Sequence, residues 1–348
     1  MVRTVDFQFL ITRNGANYCE LHPTTESAPT IQNDTSNSVH ASFSGSFLPP
    51  EKAVDWLTDE IRPRILIDGA AHNLGVFLPY SIQEADDGVS KSISISAYDR
   101  GWLARDHKTE RTIYFQAGTN YVEAVVSLLA EAGIVMINET GTDQVLTEDR
   151  EDWDIGTSYL DIVNDLLSEI NYAPLWFDAD GVAVVAPVKT PTAINIEHTL
   201  DEKKIESLML PGLRSTTNTL NTPNVFVCVC SNADKSAPMR AVAENTNPQS
   251  PLSIARRGRR ITKVIQVNNI ASQEALQTYA NRQVTDSMLA GETITVNTCL
   301  LPGFGASDIT ALHYGDIMAI CKETAWTMNL TIGGTMSHTL ERVVMNLD

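Results

Sequence analysis

Apolar and polar residues alternate along much of the first hundred residues. The alternation is strictest at 90–98, where Ile93, Ile95 and Ala97 are separated by serines, so one face of the segment is apolar and the other carries hydroxyls. This period of two predicts an antiparallel strand with one wetted side. Further strands are predicted at 7–12, 38–47, 64–68 and 74–84. The first unit is therefore expected to be a small antiparallel barrel or sandwich.

Two segments interrupt this series of strands. Residues 23–38 are rich in Thr, Ser, Asn and Pro, and a long exposed loop is expected there. Residues 51–60 follow two prolines and precede Pro63, so they are expected to form a short helix that cannot continue. Neither segment is predicted to contribute a strand.

The spacing of apolar residues becomes helical in the middle of the chain. Asn120 is a favourable N-cap residue, and Glu123 lies three positions later, where its side chain can bond back to the cap. Gly133 suits the left-handed position that ends a helix. The apolar stripe of this predicted helix is Val122, Val125, Val126 and Leu129.

A second helix is predicted from near Ser158 to just before Pro174. Its apolar residues recur at spacings of three and four: Ile162, Val163, Leu166, Leu167 and Ile170. The apolar segments 175–177 and 182–185 follow it and flank a short turn that contains Gly181. They predict a β-hairpin.

Strands return in the last third of the chain, with one more helix among them. The predicted strands are 207–210, 222–230, 261–267, 292–300, 316–321 and 324–332. The helix is expected to begin at Ser272 and to end at Gly291, with Ala275, Leu276, Tyr279, Ala280 and Val284 facing inward. The fold class is therefore α+β and mostly β. Its expected parts are 1–101, a β-rich domain, 102–200, an α/β region, and 201–348, a second β-rich domain.

The charge balance narrows the choice of partners. The 348 residues include 43 acidic and 25 basic ones, for a formal charge of -18. So few cations disfavour specific nucleic-acid binding and attachment to anionic membranes. No apolar run approaches the length that spans a bilayer, and the first ten residues do not have the apolar core of a signal peptide. The five cysteines show no framework spacing, so no disulfides are expected.

The sequence contains none of the enzyme motifs that have low false-positive rates. There is no G-x-S-x-G, no Walker-type loop and no H-E-x-x-H, and the seven histidines are scattered. Cys228 and Cys230 would share one face of a strand and could hold a metal, but no second pair follows at zinc spacing. We therefore expect no catalytic, cofactor-binding or metal-binding residues.

One basic cluster stands out in this acidic chain. Arg256, Arg257, Arg259 and Arg260 place four cations within five residues. They are either a solvated loop or a contact with an acidic surface of a neighbouring subunit. Nucleic-acid binding is a weaker alternative, because no aromatic residues lie between the arginines to stack on bases.

Three segments carry a resemblance to a known family. They read TIYFQAGTN at 112–120, continuing to LLAEAGI at 128–134; YLDIVNDLL at 159–167, running through INYAPLW at 170–176 to DADG at 178–181; and HYGDI at 313–317. In this order they resemble the baseplate hub proteins of phage-type contractile tails, including those of prophages and tail-like bacteriocins. The resemblance covers about the last two-thirds of the chain.

The resemblance implies a structural protein with two tube-like antiparallel β-barrel domains joined by smaller α/β domains. Three copies would form a ring that joins the hexameric tail tube to a central spike or tail tip protein, with baseplate wedge and tape-measure proteins as further partners. The ring would leave a bore for DNA or the tape measure, and acidic side chains would suit its lining because they repel phosphates. The chain would be made in the host cytoplasm and reside in the virion tail or a tail-like particle.

Two other classes of function are compatible with the sequence. A carbohydrate-binding or adhesin-type β-module would need exposed aromatic platforms, which the five scattered tryptophans do not indicate. A hydrolase with an unusual site is the more remote alternative.

Overall fold

The computed structural model describes residues 3–25, 27–189, 191–217, 222–230, 239–267, 270, 273–289 and 292–342. The first eight strands are β1 Val5–Arg13, β2 Ala16–Leu21, β3 Thr30–Asp34, β4 Ala41–Phe47, β5 Glu60–Ile67, β6 Ala70–Asn73, β7 Phe77–Asp86 and β8 Lys91–Asp99. In β8 the three apolar residues predicted to face inward are buried, and the serines lie on the other face. Strict alternation therefore identified this strand and its orientation.

The middle of the chain contains the predicted helices and hairpin. Its elements are α1 Gly101–Asp106, α2 Tyr121–Glu131, β9 Ile137–Glu139, α3 Tyr159–Glu169, β10 Trp176–Phe177 and β11 Ala183–Val185. Both longer helices begin at their predicted caps, because Asn120 accepts hydrogen bonds from two backbone N–H groups and Ser158 accepts one. A short parallel pairing joins β9 to β11, which completes a three-stranded sheet with β10.

The last third carries strands in two separate sheets. Its elements are β12 His198–Asp201, β13 Met209–Thr217, β14 Val225–Cys230, β15 Met239–Glu244, α4 Ile254–Arg257, β16 Thr262–Val267, α5 Gln273–Leu289, β17 Glu292–Cys299, β18 Ile309–Tyr314, β19 Ile317–Asn329 and β20 Thr335–Arg342. The α5 helix buries Leu276, Ala280 and Val284 as predicted. Its expected end residues, Ser272 and Gly291, lie outside the described residues.

One large sheet joins both ends of the chain. Its strand order is β13-β17-β20-β19-β3-β4-β8-β7-β5-β1-β2, with β6, β12 and β18 attached at its sides. The connection between the two ends is the antiparallel pair β3 and β19. Among the described strands this path is open at β13 and β2, and no closed barrel is present in this part of the chain.

Four details differ from the sequence predictions. The segment 23–38 is not all loop, because it contains β3. Residues 51–59 form turns and bends instead of a helix. The strands predicted at 316–321 and 324–332 belong to one long strand, β19, which continues through a bulge between Glu323 and Ala325. The sequence patterns do not predict the strands β2, β6, β9, β12, β15, β18 and β20. The prediction of a mostly β fold is confirmed.

Three main hydrophobic clusters stabilise the molecule. The largest lies under the large sheet and combines residues from both ends of the chain, such as Phe43, Phe77 and Ile294. The second lies between α2, α3 and the middle hairpin. The third joins α5 to the sheet of β14, β15 and β16, and Cys228 and Cys230 are buried in it.

Candidate functional site

A buried polar network in the large core has the connectivity of a catalytic triad. The Thr298 hydroxyl lies 3.0 Å from His338 Nε2, and His338 Nδ1 lies 2.7 Å from Glu323 Oε1. All three side chains are at most 1% exposed, so a substrate cannot reach the hydroxyl. Burial raises the pKa of Glu323, and the hydrogen bond with His338 opposes that shift. The geometry therefore supports a structural network inside the sheet.

A second polar group fastens the loop before β18. Asp308 accepts hydrogen bonds from Lys189 Nζ at 2.9 Å and from Gly305 N–H at 2.6 Å, and its other contact is His198 Nε2 at 3.0 Å. Burial by itself would raise the pKa of Asp308, but these hydrogen bonds lower it to about 2. The carboxylate is thus held as an anion that ties the 303–308 loop to the segment before β12.

A cavity of about 350 Å³ lies where the large sheet meets the middle hairpin. Its lining includes Asn73, Asp99, Trp176, Asp180, Phe304 and Asp308. The polar groups at its rim join the two parts: Asn73 Nδ2 donates to Asp180 Oδ1 at 2.5 Å, and Gly75 N–H donates to Ala179 O at 3.0 Å. The cavity therefore lies within the contact between the middle hairpin and the large sheet.

The described residues hold no group of three or more His, Cys, Asp or Glu side chains arranged for a metal ion. All five cysteines are free thiols. Within the same described ranges, no helix has the length and apolar character needed to cross a membrane.

The four predicted contact arginines lie on one short turn, which we call the arginine turn (residues 253–260). Ser253 caps α4, and Gly258 adopts the left-handed conformation that ends it. Arg257 donates to Thr222 O at 2.6 Å, and Arg260 forms an ion pair with Glu244. The side chains of Arg256 and Arg259 are exposed to solvent. The cluster therefore contains two arginines that bond to their own fold, Arg257 and Arg260, and two exposed arginines, Arg256 and Arg259.

Buried amides and hydroxyls hold the arginine turn in place. Asn224 Nδ2 donates to Leu252 O and to Arg259 O, while Asn224 Oδ1 accepts from Ile261 N–H at 2.7 Å. Asn245 Nδ2 donates to Ser250 Oγ at 2.9 Å. Asn224 and Ser250 are 0% exposed and Asn245 1%. Such fully bonded buried groups fix the local backbone. Sequence reasoning missed these residues, because isolated Asn and Ser also mark ordinary loops.

The outer face of the large sheet carries mostly uncharged polar side chains across seven adjacent strands, from β7 to β17. We call it the hydroxyl face. Its members are Ser81, Gln83, Ser92, Ser94, Ser96, Ser42, Ser44, Thr30, Gln32, Thr327, Asn329, Thr335, Ser337, Thr339, Thr293, Thr295 and Asn297. Charged residues, among them Asp34, Lys322 and Glu341, lie at one border. The serines that alternate in β8 were the only part of this face evident from the sequence.

The strand registers make the hydroxyl face continuous. Ser96 pairs with Ser44, which pairs with Thr30, and the Thr30 and Ser44 hydroxyls lie 2.9 Å apart. One row further, Gln32 pairs with Thr327, and Thr327 pairs with Ser337. Seven strands at about 4.8 Å spacing make the face roughly 29 Å wide. A groove of about 550 Å³ runs beside Gln32, Thr327 and Ser337.

An aromatic stack lies beside this face. Tyr80, Tyr98 and Trp102 stack with centroid distances of 4.5 and 4.8 Å, and the Arg105 guanidinium lies 4.9 Å from the Trp102 ring. Tyr80 is 50% exposed. Because the rings stack on one another, each ring has at least one face in contact with a neighbouring ring. A sugar-binding platform needs an open ring face, so this stack fits a sugar-binding site poorly.

The chain matches known proteins in its three-dimensional structure, whereas neither family models nor curated sequences match it. A tail protein from Neisseria meningitidis matches at a TM-score of 0.71 and 15% identity over 96% of both chains. A 43 kDa prophage tail protein from Shewanella oneidensis matches at 0.69 and 10% identity over 97% of this chain and 99% of that one.

A third match is a component of the type VI secretion system of Escherichia coli that is itself structurally similar to bacteriophage T4 tail proteins. It matches at a TM-score of 0.54 and 10% identity, over 95% of this chain and 76% of that one. The chain therefore has the fold of phage tail proteins and of this type VI component, which confirms the resemblance to tail hub proteins that its sequence predicted.

Proposed function

We propose that the chain is the structural hub of a phage-type contractile tail baseplate. The observation that carries this proposal is the end-to-end structural match to tail proteins, which leaves only a few per cent of either chain unmatched. The connected sheet and the burial of the triad-like network support a role without catalysis, because shape is the property that this architecture maintains. The protein would reside in the virion tail or a tail-like particle after synthesis in the host cytoplasm.

Three copies would form a ring between the tail tube and the spike. The proposed parts of each copy are 1–101, 102–200 and 201–348, with a tube-like domain at each end, so that three chains offer six similar faces to a hexameric tube. The partners would be the tail tube protein, a central spike or tail tip protein and, further out, wedge and tape-measure proteins. The arginine turn is proposed as a contact between subunits of the ring.

The hydroxyl face is proposed as the lining of the bore. Its side chains offer no cation that would retain a phosphate backbone and no large apolar surface that would bind a protein segment. The uncharged lining differs from the acidic lining that the net charge of the chain suggested. Both would let a polyanion pass, but only the hydroxyl lining does so without a strong local field.

The carbohydrate-binding alternative keeps one supporting observation, the stack of Tyr80, Tyr98 and Trp102. Specific glycan binding by the isolated protein, lost in Tyr80→Ala, would favour that alternative.

The hub proposal is tested by the mass of the purified chain and by electron microscopy with its tail tube protein. We expect trimers that form rings and cap one end of the tube. A chain that remains monomeric at high concentration and leaves tubes uncapped would contradict the proposal.

A further inference from the structure

We propose that Arg256 and Arg259 of one protomer dock on an acidic segment of a second copy of this chain. The acidic segment is residues 139–154, which contain seven acidic residues and one arginine. This inference rests on the proposed ring and names the surfaces that would close it.

The arginine turn presents its two outward side chains from a rigid base. Asn224 and Asn245 bond the backbone and side chains of residues 250–261 from inside the protein, and Leu252 is 0% exposed beneath the turn. A fixed backbone reduces the conformational entropy lost on binding. Guanidinium groups also pair with carboxylates through two parallel hydrogen bonds, which favours a carboxylate partner.

The acidic segment is equally well fixed. Leu146 and Trp153 anchor it in the second hydrophobic cluster. Asp149 accepts hydrogen bonds from Tyr114 Oη and from Ala117 N–H, both at 2.8 Å. Arg150 is buried against Glu169 at 2.9 Å, so its charge is already balanced inside the fold. Arg150 also pairs with Asp152, so the negative potential of the segment rests on its other exposed acids, such as Glu151 and Asp154.

Glu151 and Asp154 are exposed acids of this segment. Two large apolar side chains lie in or next to it, Val145 at 44% exposure and Ile155 at 67%. Apolar side chains surrounded by charges are typical of protein interfaces. The acidic segment and the residue that follows it thus offer both exposed carboxylates and exposed apolar side chains to a partner.

The topology separates the two surfaces within one protomer. The arginine turn belongs to the small sheet inserted between β13 and β17, at one edge of the large sheet. The acidic segment belongs to the region that follows β8, which lies five strands away from β17 in the sheet. Five interstrand spacings of about 4.8 Å separate β8 from β17 by roughly 24 Å along the sheet. Complementary surfaces in separate parts of a protomer suit a head-to-tail contact between copies, which closes into a ring when the rotation between neighbours divides a full turn evenly.

A charge-swap experiment on the full-length chain tests this contact. The double variant Arg256→Glu/Arg259→Glu should raise the dissociation constant of the trimer at least about tenfold, because like charges then face each other. Glu151→Arg/Asp154→Arg should weaken the trimer similarly. The combined four-residue variant should recover association to within about threefold of the original chain. Sedimentation at several concentrations measures all three.

The matched control is Lys203→Glu/Lys204→Glu, which makes the same change of net charge at two exposed lysines outside both surfaces. It should leave the trimer intact, and circular dichroism should show that each variant is folded. A trimer that tolerates the arginine reversal would overturn this inference and leave the hub proposal standing. Loss of the trimer without recovery in the combined variant would overturn the assignment of the acidic segment as partner. A monomeric original chain would remove the ring itself.

Discussion

Ionisable side chains inside this protein are held by specific hydrogen bonds, and each case has a consequence for stability. Asp99, the last residue of β8, is 4% exposed and accepts hydrogen bonds from the N–H groups of Ala41 and Gly101, both at 2.8 Å. Burial raises its pKa to about 6, although the two N–H groups favour the anion. A Cβ on Gly101 would lie 2.8 Å from an Asp99 oxygen, so a larger residue at this position would force the carboxylate to move.

The raised pKa of Asp99 predicts that the contribution of this side chain to stability is lost as pH rises from about 4 to about 6. The folded state holds this proton more tightly than the unfolded state, in which the pKa is near 3.9, so folding is favoured at low pH. A pKa shift to about 6 corresponds to about 3 kcal/mol. In Asp99→Asn, which cannot titrate, the free energy of unfolding should vary less with pH over this window.

Urea unfolding at pH 4, 5, 6 and 7 measures this difference. Asp106→Asn changes an exposed carboxylate and serves as the control. Parallel pH profiles for the original chain and Asp99→Asn would contradict the prediction.

The arginines show what residue type alone can indicate. Their density marked a contact in the sequence, yet all four appeared equivalent there. In the structure Arg257 and Arg260 bond to their own fold, and Arg256 and Arg259 are exposed. The difference depends on Thr222 and Glu244, which lie in separate parts of the chain and meet the turn only after β14, β15 and β16 assemble.

At the scale of elements, the helices follow their local signals closely. The α2 helix begins at Asn120, whose side-chain oxygen accepts from Val122 N–H at 2.9 Å and from Glu123 N–H at 3.3 Å. Its amide also donates to Thr142 O at 2.6 Å, which ties the helix to the acidic segment. The predicted cap is confirmed. Its side-chain amide makes a tertiary contact that no local pattern indicates.

Asn120→Ala should lower the free energy of unfolding by about 2 kcal/mol. The cap contributes about 1 kcal/mol and the lost hydrogen bond to Thr142 contributes a similar amount. Asn120→Ser keeps a capping oxygen and should lose only the second contribution. Urea denaturation of the three proteins measures both steps, and equal losses in the two variants would show that capping contributes nothing here.

The strands and short segments were harder to predict than the helices. The composition of residues 23–38, which are rich in turn-forming residues, predicts a loop where the structure has β3. It is nevertheless a strand, because its neighbours β4 and β19 pair with both of its edges and Ile31 is buried between them. The reverse error occurred at 51–59, where a proline-bounded segment was expected to be helical and forms turns.

At the scale of the whole molecule, the hydroxyl face makes the proposed bore testable. Ser44→Lys and Thr327→Lys each place a cation on an outward position of this face, so a trimer with both changes gains six positive charges. Cations that contact phosphates hold DNA strongly. We expect particles with both changes to assemble normally and to deliver DNA at least about tenfold less efficiently.

Ser44→Asn/Thr327→Asn is the neutral control and should deliver DNA normally. Counting assembled particles by microscopy and delivered genomes per particle separates an assembly defect from a passage defect. Normal delivery by the lysine variant would place the hydroxyl face outside the bore and would favour the acidic lining instead.

The sequence by itself determined the mostly β character, the two long helices of the middle region with their caps, and the resemblance to tail hubs, because alternation, helical spacing and capping are local properties. Only the tertiary structure decided that β3 joins the two ends of the chain in one sheet, that serines and threonines from seven strands form one face, and that Thr298, His338 and Glu323 are closed to substrates. These features depend on pairings between residues up to about 300 positions apart, such as Gln32 with Thr327. A local pattern does not specify which strands pair or in which register, because several alternating strands would fit the same place in the sheet. Only the packing of the whole core selects among them.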